Sequence, residues 1–135
     1  MTALMDHATE PTTLAAYTFA PPLRARAAEV RAARHELRKL ASPLVGEDAA
    51  HEVELMAAEA ISNTIVHGHG VVTVSAECNS EVFRVEVRDE GPGLAVASRV
   101  DHGRGHQLIA GLAARWEFTT GEAGTCLWFE VDLVL

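Results

Sequence analysis

Around Gly68 the spacing of apolar residues changes from threes and fours to twos, dividing the chain into a helical half and a sheet-forming half. Before that point, Leu23 to Leu40 carries Val30, Ala33, Leu37 and Leu40 at helical offsets, and Pro43 is expected to end the helix. A second helix is expected from Asp48, as N-cap, to His67, with Gly68 as its stop. Its apolar face holds Val53, Ala57, Ala60, Ile61 and Thr64. Beyond it, Val71–Glu77 and Glu81–Arg88 alternate around the turn Cys78-Asn79-Ser80. A glycine-containing loop spans Gly91 to Gly105, and residues 106–114 read as a short helix. Trp116–Thr119 and Thr125–Leu133 are expected strands joined by the turn Thr120–Gly124. Near the start, Tyr17-Thr18-Phe19 forms a short edge strand stopped by Pro21-Pro22. Strand, two helices, hairpin, loop, helix, hairpin is the order of an α+β two-layer sandwich, a sheet covered on one face by about three helices. Residues 1–13, polar and without period, are expected as a mobile tail, leaving 14–135 as one domain.

Composition narrows the partners. The 135 residues carry 11 basic and 19 acidic side chains, a formal charge of −8, and the pI is near 5.3. Phosphate backbones are bound by basic surfaces, which argues against direct nucleic-acid binding. No apolar run reaches ~18 residues, so no membrane span is expected. The start, MTALMDHATEPTT, has no basic region followed by an apolar stretch, and the cytoplasm is the expected compartment. Cys78 and Cys126 are far apart and in no CxxC spacing, which disfavours a disulfide framework or a structural zinc site.

Four local patterns carry chemistry. In ELMAAEAISNTIVHG, Glu59 and Asn63 stand four residues apart and share a helical face, which His67 continues. Asn is a poor interior helix residue, and an amide oxygen beside a carboxylate suits a hard cation such as Mg²⁺. The same pair is also at home in a solvated polar stripe. In RVEVRDEGPGL, alternation sends Phe83, Val85 and Val87 one way, and Asp89 follows them to the apolar side. An inward carboxylate needs a hydrogen-bond donor, and beside Gly91 and Gly93 an exocyclic amine such as adenine's fits. A plain turn capping the strand would use the same residues. In HGRGHQLIAGL, Gly103 and Gly105 precede a helix whose free amides attract phosphate. Neither a Walker loop nor a dinucleotide fingerprint is present. Finally, Gly124-Thr125 opens a strand in which Thr125, Leu127, Phe129, Val131 and Leu133 share a face, directing the Thr125 hydroxyl inward near Asp89.

In combination and in this order, ExxxN in a helix, DEGPG after a strand, GRG before a helix and GT in a strand resemble the GHKL ATP-binding superfamily of gyrase, Hsp90, histidine kinases and MutL proteins. The length and the phrase AEAISNTIVHG are most similar to its anti-sigma-factor serine/threonine-protein kinase branch. The resemblance covers roughly residues 17–135. It implies the Bergerat fold, with a mixed, mostly antiparallel sheet. It also implies Glu59 as general base and Asn63 as ligand to Mg²⁺ between the ATP phosphates. Asp89 would hold the adenine amine, with Gly91 and Gly93 shaping the pocket and Thr125 supporting it. Gly103, Arg104 and Gly105 would form the phosphate loop. Implied partners are a sigma factor and an anti-anti-sigma antagonist whose Ser or Thr receives the phosphate, often with a homodimeric kinase. The alternative is a non-catalytic ATP-binding module that docks partners; a gyrase- or Hsp90-like ATPase fragment is disfavoured by the lack of a second domain. Two features depart from the family pattern: His106 stands where many relatives have an apolar residue, and the lid segment Leu94–His102 is short.

Two side readings are weaker. HELRKL at His35–Leu40 resembles a histidine-kinase acceptor box, but the 23 residues between His35 and Glu59 leave no room for a dimerisation domain. His67, His69, His102 and His106 offer imidazoles without a completing Cys or carboxylate set. Lys39, the only lysine, lies far from the phosphate loop, so ATP's charge must be offset by Mg²⁺, backbone amides and Arg104.

Overall fold

The computed structural model describes residues 10–67, 70–90 and 106–134. Strand β1 spans Thr12–Phe19, a 3₁₀ turn Leu23–Arg26, helix α1 Ala27–Val45 and helix α2 Glu47–His67. Then come β2 (Val72–Cys78), β3 (Val82–Asp89), α3 (Gln107–Leu112), β4 (Arg115–Gly121) and β5 (Gly124–Asp132). The sheet order is β1-β2-β3-β5-β4. The expected α+β sandwich with about three helices is therefore present. Each ladder among the described residues is antiparallel, so the expected mixed sheet is antiparallel throughout those residues.

Several boundaries differ from the sequence reading, each for a local reason. The edge strand starts at Thr12 rather than Tyr17, because β2 is long enough to pair back to the Thr12↔Cys78 register, with a bulge between Thr13 and Ala15. Thr12 and Thr13 thus belong to the sheet and not to a tail. Pro43 lies inside α1 instead of ending it. Ala41 and Val45 are buried in the core, and that packing carries the helix two residues past the proline. Gly46 is the true hinge. Its φ of 91° breaks α1, its N–H donates to the Ser42 carbonyl at 3.0 Å, and its own carbonyl accepts from Ala50 at 2.9 Å to open α2. The third helix is six residues, not nine, because the Ala114 N–H donates to the Glu130 carbonyl and the sheet captures the chain. The last hairpin closes on Glu122-Ala123 alone, between the paired Gly121 and Gly124. The turn falls one residue later than expected, on 79–81, because Cys78 pairs with Phe83; the Asn79 Oδ1 accepts from the Glu81 and Val82 amides.

The core lies between the helices and one sheet face. Leu37 from α1, Met56 and Ile61 from α2, Ile109 from α3, Phe83 from β3 and Phe129 from β5 are its largest fully buried side chains. The expected helical stripe is buried at Val53, Ala57, Ala60 and Ile61, while Thr64 is half-buried and donates back to the Ala60 carbonyl. On the opposite sheet face Glu130 is fully buried, accepting from Arg84 Nη1 at 3.1 Å and Arg115 Nε at 2.8 Å. Arg84 also stacks 4.2 Å above the Trp128 ring. An ion pair of this kind needs partners from three strands in register, and it ties β3, β5 and β4 together. No helix among the described residues is long and apolar enough to cross a membrane.

Candidate functional site

The helix-facing side of β3 runs Phe83, Val85, Val87 and ends on Asp89, all buried. Asp89 is 7% exposed. A carboxylate there is tolerable only with hydrogen-bond donors. The register supplies one: Asp89 pairs with Thr125, whose hydroxyl donates to Asp89 Oδ2 at 2.7 Å. A carboxylate can accept up to about four hydrogen bonds, and Thr125 takes one of them. Gly124, at φ 126°, lets the hairpin approach this corner: a Cβ there would run into the Asp89 carbonyl and the Glu90 backbone. The two residues placed together by alternation alone are thus in direct contact.

The same end of the sheet receives α2. Val72, the first residue of β2, pairs with Asp89, and only four residues separate it from the end of α2 at His67. Asn63 and Glu59 sit one and two turns back from that end, and both are half-buried. They flank the buried stripe of Ala57, Ala60 and Ile61. Among the described residues no hydrogen bond or ion pair involves either side chain, so their oxygens are uncommitted to the protein. An amide oxygen beside a carboxylate is a donor set for a hard cation that keeps its waters and takes phosphate oxygens. Among the described residues there is no cluster of three His, Cys, Asp or Glu side chains. Gly91, Gly93, Gly103, Arg104 and Gly105 lie outside the described residues, as do the Leu94–His102 segment, His69 and His102.

Two residues gain meaning from the structure. Glu90 folds its carboxylate back so that Oε1 accepts the Val71 amide at 3.0 Å, locking the rim of β2 beside Asp89. Its position directly after the inward aspartate was the only available signal. His106, the departure from the family pattern, is 5% exposed and packs its ring against Phe118 at 4.7 Å and Trp116 at 5.4 Å. It fills the apolar position as an aromatic. His35 is exposed on α1, in the helical layer of the same domain.

Comparison with known proteins gives the family. A family model described as the histidine kinase-like ATPase domain matches residues 23–131. The anti-sigma F factor of Halalkalibacterium halodurans is 37% identical over 49 residues, covering 33% of this chain and 34% of that protein. The match spans about a third of that relative's length. With most of the chain inside the family's span and the antiparallel α+β sandwich in place, the chain belongs to the histidine kinase-like ATPase domain family of the GHKL superfamily.

Proposed function

We propose that this protein binds Mg-ATP and transfers the γ-phosphate to a Ser or Thr of an antagonist protein, so regulating a sigma factor in the anti-sigma manner. The observation that carries the reading is the buried Asp89 carboxylate, oriented by Thr125 at 2.7 Å, at the sheet end where α2 delivers Glu59 and Asn63. In this reading Asp89 accepts the N6 amine of adenine, and Thr125 holds the carboxylate in place. Asn63 Oδ1 holds the cation. Bound there, Mg²⁺ supplies charge neutralisation for the phosphates. Glu59 takes the proton of the attacking hydroxyl as its oxygen bonds to the γ-phosphorus and the bond to ADP breaks. Gly103, Arg104 and Gly105 would receive the phosphates. The partial match to an anti-sigma F factor supports the choice of partners, a sigma factor and an anti-anti-sigma protein.

The test is [γ-³²P]ATP with purified candidate antagonists, beside Glu59→Gln. Label appearing on a Ser or Thr, and lost in the variant, is the expected result. Tight Mg-ATP binding with no transfer to any antagonist favours the non-catalytic module instead.

A further inference from the structure

The strand pairing beside Asp89 is completed by a side chain. In the β2–β3 ladder Thr73 pairs with Arg88 and Val72 with Asp89, so the next pair in register is Val71 with Glu90. Both strands stop one residue short of it. In place of a backbone rung, Glu90 turns its carboxylate back and Oε1 accepts the Val71 N–H at 3.0 Å. Glu90 is exposed, and a carboxylate at a strand end is ordinarily left to water; this one is committed to the neighbouring chain. Gly70 passes so close that a Cβ there would run into the Glu90 carboxylate and stem. The carboxylate lies in the space that a side chain at position 70 would fill. Among the described residues Glu90 has no ion-pair partner, so no arginine accounts for where it lies.

What the contact joins decides what it is for. On one side, Glu90 follows Asp89, whose carboxylate is oriented by Thr125 at 2.7 Å. On the other, Gly70 lies three residues past His67, where α2 ends, and three residues reach at most about 11 Å. Asn63 stands one turn before that end. The Glu90–Val71 contact therefore ties the chain leaving α2 to the strand end that carries Asp89. The sheet itself has little need of it, because seven residue pairs already join β2 to β3. In the reading above, Asp89 and Asn63 take opposite ends of one nucleotide, the adenine amine and the cation on its phosphates. Two groups that share one ligand hold it well only at a fixed spacing.

We propose that Glu90 is a positioning residue: by holding the Val71 amide it sets the spacing between Asp89 and the Asn63 end of α2, and with it the fit of Mg-ATP as a whole. The proposal rests on the nucleotide reading above, and its test separates the two. Glu90→Ala removes the acceptor, whereas Glu90→Gln keeps an amide oxygen for the same N–H. Solvent exchange of the Val71 amide, followed by NMR, is expected to speed up about three- to tenfold in Glu90→Ala and to stay near wild type in Glu90→Gln. Mg-ATP affinity, by calorimetry, is expected to fall about three- to tenfold in Glu90→Ala and to recover in Glu90→Gln. Adenosine engages Asp89 without the cation, and should bind all three proteins within about twofold in an NMR titration. Circular dichroism should be the same for all three. Equal losses of adenosine and Mg-ATP in Glu90→Ala would mark a merely structural role and overturn the proposal. So would an Mg-ATP affinity unchanged by Glu90→Ala, a Glu90→Gln protein as weak as Glu90→Ala, or a Val71 amide indifferent to Glu90→Ala. Wild type that binds neither ligand sinks the nucleotide reading and the positioning role with it. Wild type that binds both, with Glu90→Ala its equal, sinks the positioning role alone.

Discussion

A carboxylate at the end of β3, placed as proposed, distinguishes purines by their donors. In the proposed site adenine would present an amine to Asp89, whereas guanine would present a carbonyl oxygen to the same negative charge. Hydrogen bonds to charged groups contribute about 1.5–3 kcal/mol, so Asp89→Asn should weaken ATP roughly 10- to 100-fold, and GTP should bind wild type at least comparably more weakly. Thr125→Val removes only the orienting hydroxyl and should cost less; fluorescence titration with a labelled nucleotide checks all three. On the opposite face, burial, reinforced by Glu86, pushes the Cys126 thiol up to about 11. In a Cys78→Ser background, alkylation by iodoacetamide should therefore rise with pH to a midpoint near 11, and Glu86→Gln should move that midpoint down. A midpoint near the ordinary thiol range would show that Cys126 is not sheltered as the sheet face implies. Asp89 and Thr125 were both legible from strand alternation, since a period of two fixes the side of every residue once the apolar side is known. Glu130 was not: its burial depends on Arg84 and Arg115 from two other strands, and strand order lies beyond local spacing.

At the level of elements, the joint between α1 and α2 depends on one residue. Gly46 alone separates the two helices, at a φ of 91° that an L side chain adopts only under strain. Gly46→Ala, with open space around the added methyl, should destabilise the fold by about 1–2 kcal/mol through the backbone alone, read from a urea midpoint at unchanged m-value. His106 tests the opposite case. Its ring is buried between Trp116 and Phe118, so His106→Asp should cost about 2–4 kcal/mol in the same titration. Both helices, the two hairpins and the helix-on-sheet layering were readable from periodicity. Their ends were set by tertiary packing instead: Val45 and Ala41 draw α1 past Pro43, and the Glu130 carbonyl pulls Ala114 out of α3.

For the molecule as a whole, the balance of −8 sets how a polyanion is accepted. With Lys39 on α1 as its single lysine, the chain is expected to lean for nucleotide affinity on the cation that Asn63 is proposed to hold. Asn63→Ala should therefore lose most of the difference between Mg²⁺ and EDTA conditions while keeping adenine selectivity. The proposed nucleotide site lies at the sheet end where β2 pairs with β3 and β3 with β5. The most direct single measurement is calorimetric titration of ATP into the wild-type chain with Mg²⁺ and again with EDTA. The expected result is saturable one-site binding in Mg²⁺ that weakens at least about tenfold in EDTA. Binding of equal strength in both, or none in either, would contradict it.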